Sequence, residues 1–197
     1  MNKIVIASRN AGKVKEIKQL LEGMNLQILS ATDFPQVPQF KETGNSYREN
    51  ALIKAKAVYD YVKLPVIADD SGIEVNALNL APGVYSAIYA GEDADDIKNR
   101  NKLIDEINKS ADSDRSAKFV CVLVYFDGKT AVFFEGECIG KVITEERGNA
   151  GFGYDPLFIP EGYDKTFAEL EQSVKNRISH RAKAVSGLID YLKKHCR

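Results

Sequence analysis

The chain opens with a β-branched run, Lys3-Ile-Val-Ile-Ala-Ser8. It breaks at Arg9–Gly12 and resumes with apolar residues at helical spacing, Val14, Ile17, Leu20 and Leu21. A strand that turns so quickly into an amphipathic helix commits the chain to α/β packing, because the helix must bury its stripe against the sheet the strand joins. The later pattern agrees. Ser46-Tyr-Arg-Glu49 fits a capping box. It precedes a helix with a stripe of Ala51, Leu52, Ala55, Val58, Tyr59 and Val62 that stops before Pro65. Val66–Ala68 reads as a strand, Asp69–Gly72 as a turn and Ile73–Val75 as a second extended piece. Residues 94–108 read as a helix with Ile97, Leu103, Ile104 and Ile107 inward. Phe119–Phe126 and Thr130–Glu137 flank Asp127-Gly128, a hairpin signal. A last helix from about Ser179 carries Val185, Leu188, Ile189 and Leu192 on its apolar face. Residues 32–40, with Pro35 and Pro38, read as an irregular loop. The expectation is one α/β domain, residues 1–197, with a mixed sheet.

Charge excludes some functions. With 28% charged residues but a net charge of −1, the chain lacks the basic excess of a general nucleic-acid binder; any polyanion site must be a local cluster. Three cysteines (Cys121, Cys138, Cys196) form no CxxC pair and are joined by only two histidines, a poor set for zinc. Cys121, inside FVCVLVYF, reads as a small buried hydrophobe. No stretch approaches the ~20 apolar residues of a membrane helix, and MNKIVIAS is too quickly polar for a secretory signal. A cytoplasmic protein without membrane or nucleic-acid partners is expected.

Several motifs could carry chemistry. Ser8-Arg9-Asn10-Ala11-Gly12-Lys13 lies where a strand meets a helix N-terminus, and helix dipole, backbone amides and a lysine there suit an anion. It is not a Walker A loop, and an ordinary turn with a solvated lysine is the competing reading. Asp69-Asp70 pairs two carboxylates after an apolar strand, a donor set suited to Mg²⁺ or a polar turn. Glu42 is a third acidic group, whereas Glu49 has a capping role. Lys54 flanks a buried stripe and reads best as reaching solvent. Phe152 and Tyr154, among glycines and beside Asp155, could face a base or be a packed turn. Lys175 and Ser179-His180-Arg181 place cations near a helix start, against the dipole. Donors there could read a purine 6-oxo group, or form a surface basic cluster.

Six segments, SRNAGKVKEI (8–17), ETGNSYRENALIKA (42–55), IADDSGIEV (67–75), APGVYSAIYAG (81–91), GFGYDPLF (151–158) and KNRISHRAKA (175–184), closely resemble, in order, the inosine triphosphate pyrophosphatase family, the house-cleaning dITP/XTP hydrolases. The resemblance implies Mg²⁺-dependent hydrolysis of ITP, dITP and XTP to the monophosphate and pyrophosphate, with water attacking the α-phosphorus. By motif, Ser8, Arg9, Asn10, Ala11, Gly12 and Lys13 would hold the triphosphate, and Lys54 would reach phosphate. Asp70 would be the general base, binding Mg²⁺ with Asp69 and Glu42. Ser71 would line the pocket, and Phe152, Gly153, Tyr154 and Asp155 would flank base and sugar. Lys175, His180 and Arg181 would contact the nucleotide and read the base. The resemblance also implies two lobes around a substrate cleft and a homodimer. The alternatives are a non-catalytic purine nucleotide-binding protein, a pyrimidine-directed pyrophosphatase, against which the SHR motif argues, and a phosphotransferase, which the Walker A mismatch disfavours.

Overall fold

In the computed structural model, which describes residues 2–38 and 41–195, the opening strand β1 (Asn2–Ile6) lies between two parallel neighbours, β2 (Leu26–Ser30) and β3 (Val66–Val75). Ile4, Val5 and Ile6 are all buried, as expected of a parallel strand covered on both faces. Ile4 and Ile6 join Ile17 of α1 (Ala11–Leu20) and Val185, Leu188 and Leu192 of α5 (His180–His195) in one core cluster. Val5 points the other way, into a cluster with Ala51, Ala55 and Val58 of α2 (Tyr47–Val62). The period-2 alternation of the strand thus serves two helical layers.

The sheet has six strands in the order β2-β1-β3-β4-β5-β6, with β4 spanning Ser116–Phe126, β5 Ala131–Val142 and β6 Phe158–Pro160. β5 and β6 pair antiparallel, so the sheet is mixed, as expected. The turn between β4 and β5 falls at Asp127–Thr130, where Asp127 Oδ1 accepts the amides of Lys129 and Thr130 at 2.9 and 2.7 Å. Gly128 is required there: its φ is +95°, and a Cβ would stand 2.0 Å from the Tyr59 hydroxyl.

The chain divides into two compact units. The first comprises the described residues of 1–70, 121–136 and 181–197, and the second residues 71–120 and 137–180. The core of the second unit gathers Ile73, Val75, Phe119, Leu157, Phe158 and Phe167 with Leu103 and Ile107 of α3 (Asp96–Lys109). The short helix α4 (Gln172–Ile178) also belongs to it. Among the described residues, no helix is long and apolar enough to cross a membrane.

Four local readings change. Asp69–Gly72 is not a turn, since β3 runs unbroken through it as an interior strand between β1 and β4. Ile97 is 58% exposed, whereas Leu103 and Ile107 are buried. In the first turn of α3 the inward position belongs to Asn99, which accepts from the Ala90 amide at 2.8 Å and donates to the Ala87 carbonyl at 3.0 Å. The cap of α2 is half the expected box: Ser46 Oγ accepts the Glu49 amide, but Glu49 Oε2 accepts from Asn45 rather than Ser46. The stretch after β2 is not wholly irregular, because Ala31–Asp33 forms a 3₁₀ turn; residues 39 and 40 lie outside the described residues. Cys121 and Cys138 are buried thiols outside any disulfide, and burial pushes the Cys121 thiol up to about 12. Cys196 lies outside the described residues.

Candidate active site

The strand–helix junction after β1 is a capped helix start. Asn10 caps α1, its Oδ1 accepting the Lys13 amide at 3.0 Å, and Ser8 Oγ accepts the Asn10 amide at 3.2 Å. Arg9 donates to the Val37 carbonyl. Lys13 Nζ reaches Asp69 Oδ2 at 3.1 Å.

The part of β3 that belongs to the first unit closes with Asp69 and Asp70, both buried. Their side chains alternate, as strand neighbours must, and meet different partners. Asp69 Oδ2 accepts from Arg181 Nη2 at 3.0 Å and Nε at 3.4 Å, and Arg181 Nη1 donates to Glu16 Oε2 at 2.6 Å. Burial would raise the Asp69 pKa, but the Lys13 and Arg181 charges outweigh it and hold the carboxyl well below the usual carboxylate range.

Asp70 is balanced differently. Lys54 Nζ donates to Asp70 Oδ1 and Glu42 Oε1, both at 3.0 Å, and Asn50 Nδ2 donates to Asp70 Oδ2 at 3.2 Å. Burial raises the Asp70 pKa, the Lys54 and Lys13 charges lower it, Glu42 raises it, and the carboxyl settles at about 6. For Glu42, burial is outweighed by Lys54, and its pKa is lowered. Adjacent carboxylates thus take opposite protonation behaviour, one locked ionised and the other poised near neutrality.

Lys54 does not reach solvent, as its helix position alone suggests; its side chain is 12% exposed and turned onto two carboxylates. Its pKa is raised, because the Asp70 and Glu42 charges outweigh desolvation. Nor are His180 and Arg181 a surface basic cluster, for they are buried. Both side chains are accounted for locally: Arg181 is neutralised by Asp69 and Glu16, and the His180 ring stacks on Phe119 at 4.7 Å.

In the second unit, the turn 151–155 is closed by Asp155, whose Oδ2 accepts the Phe152 amide at 3.0 Å and the Lys175 ammonium at 2.5 Å. Lys175 also lies over the rings of Phe152 and Phe167 at 5.0 and 5.4 Å. The Tyr154 hydroxyl donates to the Ser86 carbonyl at 2.8 Å. Gly151 has φ +77°, and a Cβ there would stand 2.0 Å from Asp155 Oδ2. Ser71, directly after Asp70 on β3, is half-buried.

The residues singled out by motif therefore assemble in two groups. Lys13, Glu42, Lys54, Asp69, Asp70 and Arg181 meet in the first unit, and Phe152, Asp155 and Lys175 in the second. Two contributors were not singled out. Asn50 stands one helical turn before Lys54, a polar i, i+4 pair beside an apolar stripe. Glu16 follows Lys13 by three residues, on the same face of α1.

A family model, described as the Ham1 family, matches residues 4–191 of this chain. The chain belongs to the Ham1 family. The Ham1 match takes in both groups of side chains. A protein of Desulfotalea psychrophila named dITP/XTP pyrophosphatase is 49% identical over 184 residues, 93% of this chain and 82% of its own. One of Haemophilus influenzae with the same name is 48% identical over 189 residues, 94% of this chain and 96% of its own. The solved structure of a HAM1 protein from Coxiella burnetii superposes with a TM-score of 0.89 at 40% identity, covering 98% of this chain and 100% of that one. The Staphylococcus aureus Ham1 protein gives 0.85 at 38% identity, covering 98% and 99%. The Ham1 solved structures share this chain's mixed-sheet α/β fold.

Proposed function

We propose that this chain hydrolyses non-standard purine nucleoside triphosphates (ITP, dITP and XTP) to the monophosphate and pyrophosphate, clearing them from the nucleotide pool. The observation that carries the reading is the Asp70 carboxyl, held near 6 between Lys54, Asn50 and Glu42. A base with a pKa just below the working pH is mostly ionised yet still takes a proton well. Asp70 accepts the proton of the attacking water as oxygen bonds to the α-phosphorus, and pyrophosphate leaves with the electron pair of the broken P–O bond. Lys13, Lys54 and the amides of Arg9, Ala11 and Gly12 offset phosphate charge.

Mg²⁺ is the cofactor in this reading. Among the described residues no three His, Cys, Asp or Glu side chains cluster to hold a metal. Mg²⁺ needs only one or two carboxylates when substrate phosphates complete its shell. Asp70 and Glu42, which share the Lys54 ammonium, fit that requirement. Asp69 is the third acidic member, with Oδ2 already engaged by Lys13 and Arg181. When bound, Mg²⁺ would neutralise charge on the phosphates.

Phe152, Gly153, Tyr154 and Asp155 are assigned to base and sugar, Ser71 to the pocket lining, and Lys175, His180 and Arg181 to nucleotide recognition. The relatives named dITP/XTP pyrophosphatase support the substrate class. Cytoplasmic location, a single functional domain and a homodimer complete the proposal.

The test is steady-state hydrolysis of ITP, XTP, GTP and ATP with Mg²⁺, resolving pyrophosphate from orthophosphate. Pyrophosphate from ITP and XTP, with little from ATP or GTP, is expected. Orthophosphate would move the scission to another bond and overturn the mechanism. Binding of ITP without turnover would establish a nucleotide-binding protein instead.

A further inference from the structure

α3 holds the backbone of the turn 151–155 at Gly153. Gly153 donates its amide to Asp96 Oδ2 at 2.7 Å, and its carbonyl accepts from Arg100 Nη1 at 2.9 Å. Arg100 Nε is in turn fixed on Glu146 Oε1 at 2.7 Å. Asp96 and Arg100 are one helical turn apart, so both face the same way from α3. Gly153 has φ +60° and no atom within 4 Å of where a Cβ would stand. No side chain or packing contact therefore holds this residue from that side, and its position is set through its backbone. Both bonds involve an ionised group, the stronger class of hydrogen bond.

We propose that Asp96 and Arg100 are positioning residues that set the pose of Phe152 and thereby the affinity for the purine base. The inference rests on the assignment of residues 152–155 to the base. Asp96 and Arg100 touch no substrate in this account; they act through Gly153. Releasing either end loosens the peptide planes beside Gly153 and leaves Phe152 to the bonds between it and Asp155. The cost falls on nucleotide binding and not on the chemistry at Asp70.

The experiment compares Asp96→Ala, Arg100→Ala, Asp96→Asn and Phe152→Ala with the unaltered protein. KM and kcat for ITP are measured, with inhibition by inorganic triphosphate as a probe of phosphate binding alone. Asp96→Ala and Arg100→Ala should each raise KM for ITP about tenfold, with kcat and triphosphate inhibition within about twofold of the unaltered protein. Asp96→Asn, which keeps an acceptor for the Gly153 amide, should restore KM. An unchanged KM in both alanine variants, beside a raised KM in Phe152→Ala, overturns the positioning role alone. An unchanged KM in Phe152→Ala overturns the base assignment and the proposal with it. Parallel weakening of ITP and triphosphate would mark general loosening and also overturn it.

Discussion

Lys54 Nζ lies 3.0 Å from Asp70 Oδ1, one ammonium holding a carboxylate that burial pushes toward protonation. Desolvation and the Glu42 charge raise the Asp70 pKa, and Lys54 and Lys13 oppose them. The compromise leaves an acid–base group where a hydrolase working near neutral pH needs one.

Replacing that carboxylate separates catalysis from stability. Asp70→Asn should lower kcat by about 10³-fold, the scale of a lost general base. It should also stabilise the metal-free fold at pH 8. The folded pKa lies above the ordinary 3.8, so the ionised form is disfavoured in the folded state; stability is greatest below 3.8 and is lost as pH rises through about 6. Removing the charge should recover about 3 kcal/mol at pH 8 and little at pH 4. Urea unfolding at the two pH values checks this.

With Asp70 as the proposed base, the same titration should set the acid limb of activity. Below about 6, Asp70 is protonated and cannot accept the water proton, so kcat/KM should fall about tenfold per pH step. Raising Mg²⁺ should move the limb lower, because a cation favours the carboxylate. A profile flat from pH 8 to 5 at low Mg²⁺ would remove Asp70 from the role of base.

Lys54→Gln should move that limb the other way. Without the ammonium, burial and Glu42 act on Asp70 with less opposition, and its pKa rises. The limb should shift toward higher pH, and kcat/KM at pH 8 should fall by about 10²-fold, because a phosphate-neutralising charge is lost as well. A pH–rate series on the variant reads both effects.

Arg181 carries a structural charge. Arg181→Leu leaves Asp69 and Glu16 buried without their shared guanidinium, which should cost about 3–5 kcal/mol. Arg181→Lys should recover only part, since one ammonium cannot reproduce two separate guanidinium contacts. Calorimetry would register a fall in Tm of about 10 °C for the leucine variant.

Much of the fold follows from local periodicity. β1, α1, α2, α3, the Asp127-Gly128 hairpin and α5 lie close to where apolar spacing, caps and turn residues place them. What local pattern misses is short or held by distant partners. β6 has three residues, and α4 only seven. β2 earns its place by pairing with β1 along its whole length. The strand through Asp69–Gly72 reads as a turn because Asp, Ser and Gly favour turns. It stays extended because it is an interior strand between β1 and β4, both remote from it in the chain.

By itself the sequence determined the chemical inventory: a capped helix start after a strand, two adjacent acids, lysines, an aromatic glycine turn and an SHR segment, in an order that carries the family. It determined these because caps, turns and periodic stripes depend on residues within a few positions of one another. Only the tertiary structure decided how the two aspartates differ. Arg181 stands 112 residues from Asp69, and Lys54 16 residues from Asp70. Burial and such distant charges set a pKa, and neither is written in the residues beside the titrating group.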